Sequence, residues 1–309
     1  MRTRKVRESI VAIEKDNKEI NSLEKCLRHL PLERIINEND RVVITPNWVK
    51  SKLPNTATVV GPETLDKLIK LLKKYNPGEI IVATGSGGDE TPKVMNYVGY
   101  DKVIKDNNVK FIDLNYGPYT EIEINHNNPS KTKINNILEN MDVLVSFTQL
   151  KMHEEATMSA GIKNIALGWP PAEIHGFPKK DLGIHEDLHG FISAITERIP
   201  IDLTIISADK VMIGTGPSDG RAIDTNGIIV AGTDPISTDT IGARMLGFLP
   251  QAINYLYKLH KMGIGEAELK NVNLKGIPLE EIEREFSLKA YNKEVILDKG
   301  KIKDFHGNK

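Results

Sequence analysis

The sequence predicts an α/β fold: a mostly parallel sheet with helices on both faces, a Rossmann-like three-layer arrangement, carrying a small helical and loop appendage at its C-terminus. Three observations predict it. Short runs rich in Val and Ile recur along the chain. Segments of helical periodicity separate them, as crossover connections between parallel strands require. The apolar runs are continuous rather than alternating, which fits strands covered on both faces.

In chain order, the expected strands are residues 41–47 (RVVITPN), 79–85 (EIIVATG), 109–115 (VKFIDLN), 142–148 (DVLVSFT), 203–209 (LTIISAD) and 227–234 (GIIVAGTD). The stretch PETLDKLIKLLKKY opens on Pro62 and acids, ends in lysines, and repeats apolar residues at Leu65, Leu68, Ile69 and Leu72. It reads as a helix lying over the sheet. A later helix starts near His185, carries Leu188, Phe191, Ile192 and Ile195 on one side and stops at Pro200. Residues 1–250 are expected to form the α/β domain, with 251–309 as an appendage packed on it.

Composition narrows the function classes. With 309 residues there is material for one large domain or two modest ones, and 39% hydrophobic with 27% charged residues describes an ordinary globular chain. A formal net charge of −1 provides no general attraction to nucleic acid or an anionic membrane, so neither is an expected partner. No apolar run approaches the roughly 20 residues of a membrane helix, and the charged N-terminus has no signal-peptide core. The single cysteine, Cys26, leaves no disulfide framework and no intrinsic iron–sulfur cluster, which fits a reducing cytoplasm. Neither a G-x-x-x-x-G-K-[ST] loop nor a G-x-S-x-G elbow occurs.

Ligands of open parallel sheets bind at the carboxyl ends of strands. Asn47, the Ser86–Gly87 loop, the stretch after Thr148, Asp209 and Asp234 are therefore the places to look. The densest chemistry lies in residues 146–190, which hold four of the eight histidines. Lys151 and His153 follow a strand end, Lys163 and Asn164 follow MSAG, and His175, His185 and His189 follow a Trp-Pro-Pro loop. Lysines as electrostatic clamps and histidines as proton carriers suit an anionic or carbonyl-bearing ligand.

His185, Glu186 and His189 spell H-E-x-x-H, the zinc-peptidase signature. That chemistry needs both histidines on one helix face, yet Pro178 and Gly183 place His185 at or before the first turn, and only His260 and His306 follow His189. A zinc hydrolase is disfavoured; a divalent metal held by His185, His189 and His153 or His175 remains an alternative. Gly85, Gly87 and Gly88 after a strand echo a dinucleotide fingerprint, but Glu90 stands where the third glycine belongs. Asp209, Gly216 and Asp219 belong to a glycine-rich, acidic stretch that either borders a site or forms turns. Asp239 reads as a helix cap.

Several motifs together, ITPNWV, VSFTQLKMHEEATMSAGIKNIALG and SADKVMIGTGPSDG…GIIVAGTDPISTDTIGARMLG, resemble the domain of unknown function 362 family over roughly residues 10 to 285. The resemblance implies a shared site at Lys151, His153, Lys163, Asn164 and His185, and makes the H-E-x-x-H spelling incidental. Many relatives carry a ferredoxin-like segment whose cysteines are missing here. In site style there is also a distant similarity to nickel-dependent lactate racemases. The expectation is an enzyme acting on a small anionic metabolite as a monomer or homodimer, with Lys151, His153, Lys163 and His185 catalytic. Asn47, Ser86, Gly87, Asn164, Asp209, Gly216 and Asp219 would contact the ligand. The alternative is a non-catalytic protein binding a metal, metallocofactor or nucleotide through the same loops.

Overall fold

Strands and helices alternate along the chain. The computed structural model describes residues 2–295; His306 and the rest of 296–309 lie outside the described residues. β1 (Ile10–Lys15) leads into α1 (Glu19–Arg28) and the short α2 (Leu32–Ile35), and β2 (Arg41–Pro46) into α3 (Pro62–Leu72). β3 (Glu79–Thr84) precedes α4 (Thr91–Val98) and α5 (Tyr100–Asp106), followed by β4 (Lys110–Asp113) and the pair β5 (Tyr119–Glu123) and β6 (Lys131–Asn135). The long β7 (Val143–His153) turns back through β8 (Thr157–Ser159) into α6 (Gly161–Gly168), α7 (Ala172–His175) and α8 (Leu188–Arg198). Next come β9 (Leu203–Ile213), β10 (Arg221–Asp224), β11 (Ile228–Gly232) and α9 (Pro235–Met245). α10 (Asn254–Lys261), β12 (Asn273–Gly276) and α11 (Leu279–Tyr291) follow.

The main sheet runs in the order β12-β1-β11-β9-β7-β2-β3-β4. Its centre is parallel: β2 pairs with β3 and β7, β3 with β4, and β7 with β9. β11 runs antiparallel to both of its neighbours, so the sheet is mixed but mostly parallel. All six expected strands are present. The sheet separates two apolar cores: Val42, Ile44, Ile80 and Val82 face the helices α1, α3, α4 and α5, whereas Val43, Ile81 and Ala83 face α6, α8 and α9. A strand buried on both faces must be apolar at consecutive positions, which is why these runs do not alternate. Each such side chain removed from water contributes roughly 1.5–3 kcal/mol.

Two strands exceed their expected lengths, and the excess matters. β7 continues past Thr148 to His153, and β9 past Asp209 to Ile213. The extensions contain polar residues, so the apolar signal stops while backbone pairing continues through β8 and β10. The C-terminal segment, for its part, extends the sheet itself. β12 pairs in parallel with β1, and Ile282 and Phe286 of α11 join the core beneath α9.

Candidate functional site

A cavity of about 450 Å³ opens at the carboxyl ends of β2, β3 and β7. Period-two alternation along the β7 extension places Lys151 and His153 on one face of the strand, and both line the cavity. Lys163 and Asn164 reach it from the first turn of α6. The buried carboxylate of Asp239 fixes that turn by accepting from the Gly161 and Ile162 N–H groups at 2.8 and 3.0 Å. Asp239, expected to cap its own helix, instead caps α6; Asp234 caps α9 through the Ile236 N–H.

Among the described residues, five lysines line the cavity: part-buried Lys50 and exposed Lys180 stand with Lys151, Lys163 and Lys179. Lys151 is 1% exposed and donates one hydrogen bond, to the Thr58 carbonyl at 2.9 Å. Burial, reinforced by the neighbouring Lys163 cation, lowers its pKa to about 7. Lys163 is part-buried and makes no hydrogen bond or ion pair with any described residue. Burial lowers its pKa to about 8, with the Glu155 charge opposing. Lys179 donates to the carbonyls of Gly85, Leu167 and Gly168 at 2.9, 3.0 and 3.1 Å, and burial brings it to about 7.

The two histidines of the cavity differ in kind. His153 Nδ1 accepts from the Glu155 and Ala156 N–H groups at 3.1 and 3.2 Å, which leaves the ring proton on Nε2. Burial first, then the Lys163 and Lys151 cations, holds the ring neutral, with its pKa driven down to about 2. His185 pairs through Nδ1 with the Glu155 carboxylate, which also accepts from Lys180 at 2.8 Å. The Lys180 bond holds that carboxyl below its ordinary range, against burial. Collectively these groups can bind negative charge, donate to an oxygen through a neutral imidazole, and exchange a proton through a carboxylate-oriented one.

Residues 42–244, which contain the whole of this wall, match the model of the family described as Domain of unknown function (DUF362). The chain belongs to this family. It is similar to the thylakoid-associated protein sll1697 of Synechocystis sp. (strain ATCC 27184 / PCC 6803 / Kazusa), 22% identical over 264 residues that cover 83% of this chain and 80% of that protein. Among solved structures it is similar to the lactate racemase apoprotein from Thermoanaerobacterium thermosaccharolyticum, at a TM-score of 0.46 and 17% identity over 79% of this chain. The chain spans only 58% of that protein's length. Among the described residues, no helix is long and apolar enough to cross a membrane.

In this member of the DUF362 family, the cavity gathers Lys151, His153, Lys163, Asn164, His185, Asn47 and Gly87. Two of these already spend their polar atoms on the frame. Asn47 donates to the Thr58 carbonyl and accepts from the Val60 and Gln149 N–H groups, and Asn164 donates to the Thr45 carbonyl and Ser146 Oγ. Ser86 sits behind the wall, its hydroxyl on the Val49 carbonyl at 2.7 Å. Gly216 acts by close approach: a Cβ there would come within 1.8 Å of the Met152 carbonyl oxygen, and the contact brings Pro217 and Ser218 to the rim.

Other expected residues lie elsewhere. Asp209 faces a separate depression beside Glu19, Ser207 and Lys210, and exposed Asp219 pairs with Lys52. His189 does not line the cavity; its Nδ1 accepts from the Tyr255 N–H at 3.2 Å and its ring stacks on Tyr255. Since α8 begins at Leu188 behind an Asp187 cap, His185 precedes the helix and the H-E-x-x-H histidines share no helix face. The donor set His153, His185 and His189 therefore does not assemble, and His153 and His185 have Nδ1 committed. Among the described residues, no group of three or more His, Cys, Asp or Glu is placed to hold a metal ion. His175 is buried against the Thr132 hydroxyl at 2.8 Å.

The glycine loop is built for close packing: a Cβ on Gly85 would fall 2.6 Å from Asn115 Oδ1 and 2.8 Å from the Gly168 carbonyl. Glu90 occupies the N-cap position of α4, where a nucleotide phosphate would meet its charge. The sequence reading missed Lys179, Lys180 and Glu155. A Pro-Lys-Lys run in a loop reads as solvated charge. The available signal was the pair of acids directly after His153, the nearest countercharge in a Lys/His-rich stretch.

Proposed function

We propose that the cavity binds a small anionic metabolite, a carboxylate or phosphate, and moves a proton on it. The observation that carries this reading is the enclosure of Lys151, Lys163 and Lys179 around one cavity whose lining carboxylates, Glu154 and Glu155, are both exposed, Glu155 already serving Lys180 and His185. Buried cations without a countercharge are costly and become favourable only when an anion enters. Lys163 and Lys151 hold the anion, while Lys179 braces the Gly85 loop. His153 donates its Nε2 proton to an oxygen on which charge develops, and His185, oriented by Glu155, carries the proton. The reading places this activity in the cytoplasm, acting on a free small molecule rather than on nucleic acid or a membrane.

Small carboxylates and phosphates, screened by thermal shift, test it. At least one is expected to raise the melting temperature of the parent protein and to lose that effect in Lys163→Ala. No stabilisation by any anion, or the same stabilisation in the variant, would overturn the reading. Binding abolished by prior dialysis against a chelator would point instead to a metal-held ligand.

A further inference from the structure

We infer that Lys163 is a nucleophile that forms an imine with a carbonyl-bearing carboxylate, a 2-oxo acid being the simplest case. The inference rests on the anion-site reading and narrows it to one ligand class. Among the cavity lysines, Lys163 and Lys50 make no side-chain hydrogen bond to any described residue, whereas Lys151 is tied to Thr58 and Lys179 to three carbonyls; of the two, Lys163 is the one whose charge acts on both Lys151 and His153. The residue is part-buried on the cavity wall and needs no side-chain hydrogen bond broken to react.

A lysine amine beside a second cation, in a desolvated pocket, loses its proton near neutral pH and gains nucleophilicity. A carboxylate lodged on Lys151 keeps the proton there and leaves Lys163 as the amine that yields its own. The neutral nitrogen then adds to the carbonyl carbon, and the π electron pair moves to oxygen. That oxygen takes up two protons in turn and leaves as water while the nitrogen gives up its two, so one C=O becomes one C=N with no electrons gained or lost. His185, paired with Glu155 on the same wall, is the proton carrier for both transfers, and His153 Nε2–H faces the task of stabilising the oxygen before it departs.

The test incubates the full-length protein with pyruvate, glyoxylate or 2-oxoglutarate and sodium borohydride, followed by intact mass and peptide mapping. Lys163→Arg keeps the charge and removes the nucleophile; Lys163→Ala removes both. One reduced adduct per chain, mapped to Lys163 and missing from both variants, is the expected result. Adducts scattered over surface lysines, or equal in Lys163→Arg, would overturn the inference. So would 2-oxo acids that bind by thermal shift without being trapped, or that fail to bind where acetate or phosphate does; either outcome leaves the anion site standing. If no anion of any kind binds, both readings fall together. Melting curves of Lys163→Arg without ligand verify that the variant is folded.

Discussion

The two ends of the central strands bury charge in opposite ways. At the amino end, Asp202 is fully buried, yet it accepts from the Leu144 and Lys5 N–H groups and pairs with Arg2. Asp234 likewise accepts from Ser9, Ile236 and Glu266 and faces Arg4 at 3.2 Å. At the carboxyl end, Lys151 has one carbonyl and Lys163 has no bonded partner among the described residues. Equal burial therefore means different things: a charge whose hydrogen bonds are complete holds strands together, and a charge left incomplete waits for something to complete it.

The sharpest way to break the comparison is to remove a satisfied charge. Asp202→Ala strands the buried Leu144 N–H, frees the part-buried Lys5 N–H and leaves the Arg2 guanidinium with only the Asp142 and Pro200 carbonyls, and is expected to lower unfolding free energy by about 3–5 kcal/mol. Urea denaturation measures it; a loss below about 1 kcal/mol would mean the amino-end network is ornamental.

Removing an unsatisfied charge should do the reverse. Lys151→Met deletes a cation whose pKa falls from 10.5 to about 7 on folding. At about 1.4 kcal/mol per unit, burying it protonated costs about 5 kcal/mol. The bond to Thr58 is lost, at about 1 kcal/mol, but that carbonyl keeps its Asn47 donor, so a net gain of about 4 kcal/mol is expected near neutral pH. Between pH 7 and 10.5 the unfolded chain binds the extra proton, so the parent gains stability as pH rises and the variant's advantage shrinks. A destabilised variant at every pH would show that Lys151 is structural. Such a stabilised, ligand-blind variant is the familiar exchange between stability and function.

Much of this frame was readable in the residues. The six strands announced themselves because burial on both faces demands unbroken apolar runs, as in Val42–Ile44. β1 was missed although IVAIEK is apolar at its start, since it stands alone near a charged N-terminus. Lys151, His153, Lys163 and His185 could be grouped because lysines and histidines crowd one loop-rich stretch, and all four line one cavity. Lys179 escaped for a physical reason: its cavity position depends on carbonyls from Gly85 and Gly168, far apart in sequence, and no local pattern encodes that meeting. His189 and Asp209 were drawn in by proximity along the chain. The start of α8 and the onward run of β9 carry them away from the cavity.

Ligand binding sharpens the comparison from the open end. Lys163→Ala removes an unshared charged donor and should weaken anion binding by about 10- to 100-fold, the equivalent of about 1.5–3 kcal/mol, with the melting temperature of the empty protein little changed. Isothermal titration calorimetry reads the affinity and a thermal melt the stability, and unaltered affinity would move the anion elsewhere.

The smallest effect is the one with pH. The anion binds the protonated lysines, whose pKa values in the empty cavity are about 7 for Lys151 and about 8 for Lys163. Affinity should therefore be full below about pH 7 and fall as pH rises through 8, by no more than about tenfold per unit for each proton taken up. Titration at pH 8 in buffers of different ionisation enthalpy should show net proton uptake by the protein on binding. His153 contributes nothing to this slope, because burial and the two lysines keep it neutral throughout the range. Asp202 lies at the other end of the sheet, bonded to Leu144, Lys5 and Arg2 rather than to the cavity. An affinity flat from pH 6 to 9 would require a ligand held by hydrogen bonds alone, and would remove the reason for gathering Lys151, Lys163 and Lys179 at one end of a sheet whose other end pairs buried Asp202 and Asp234 with Arg2 and Arg4.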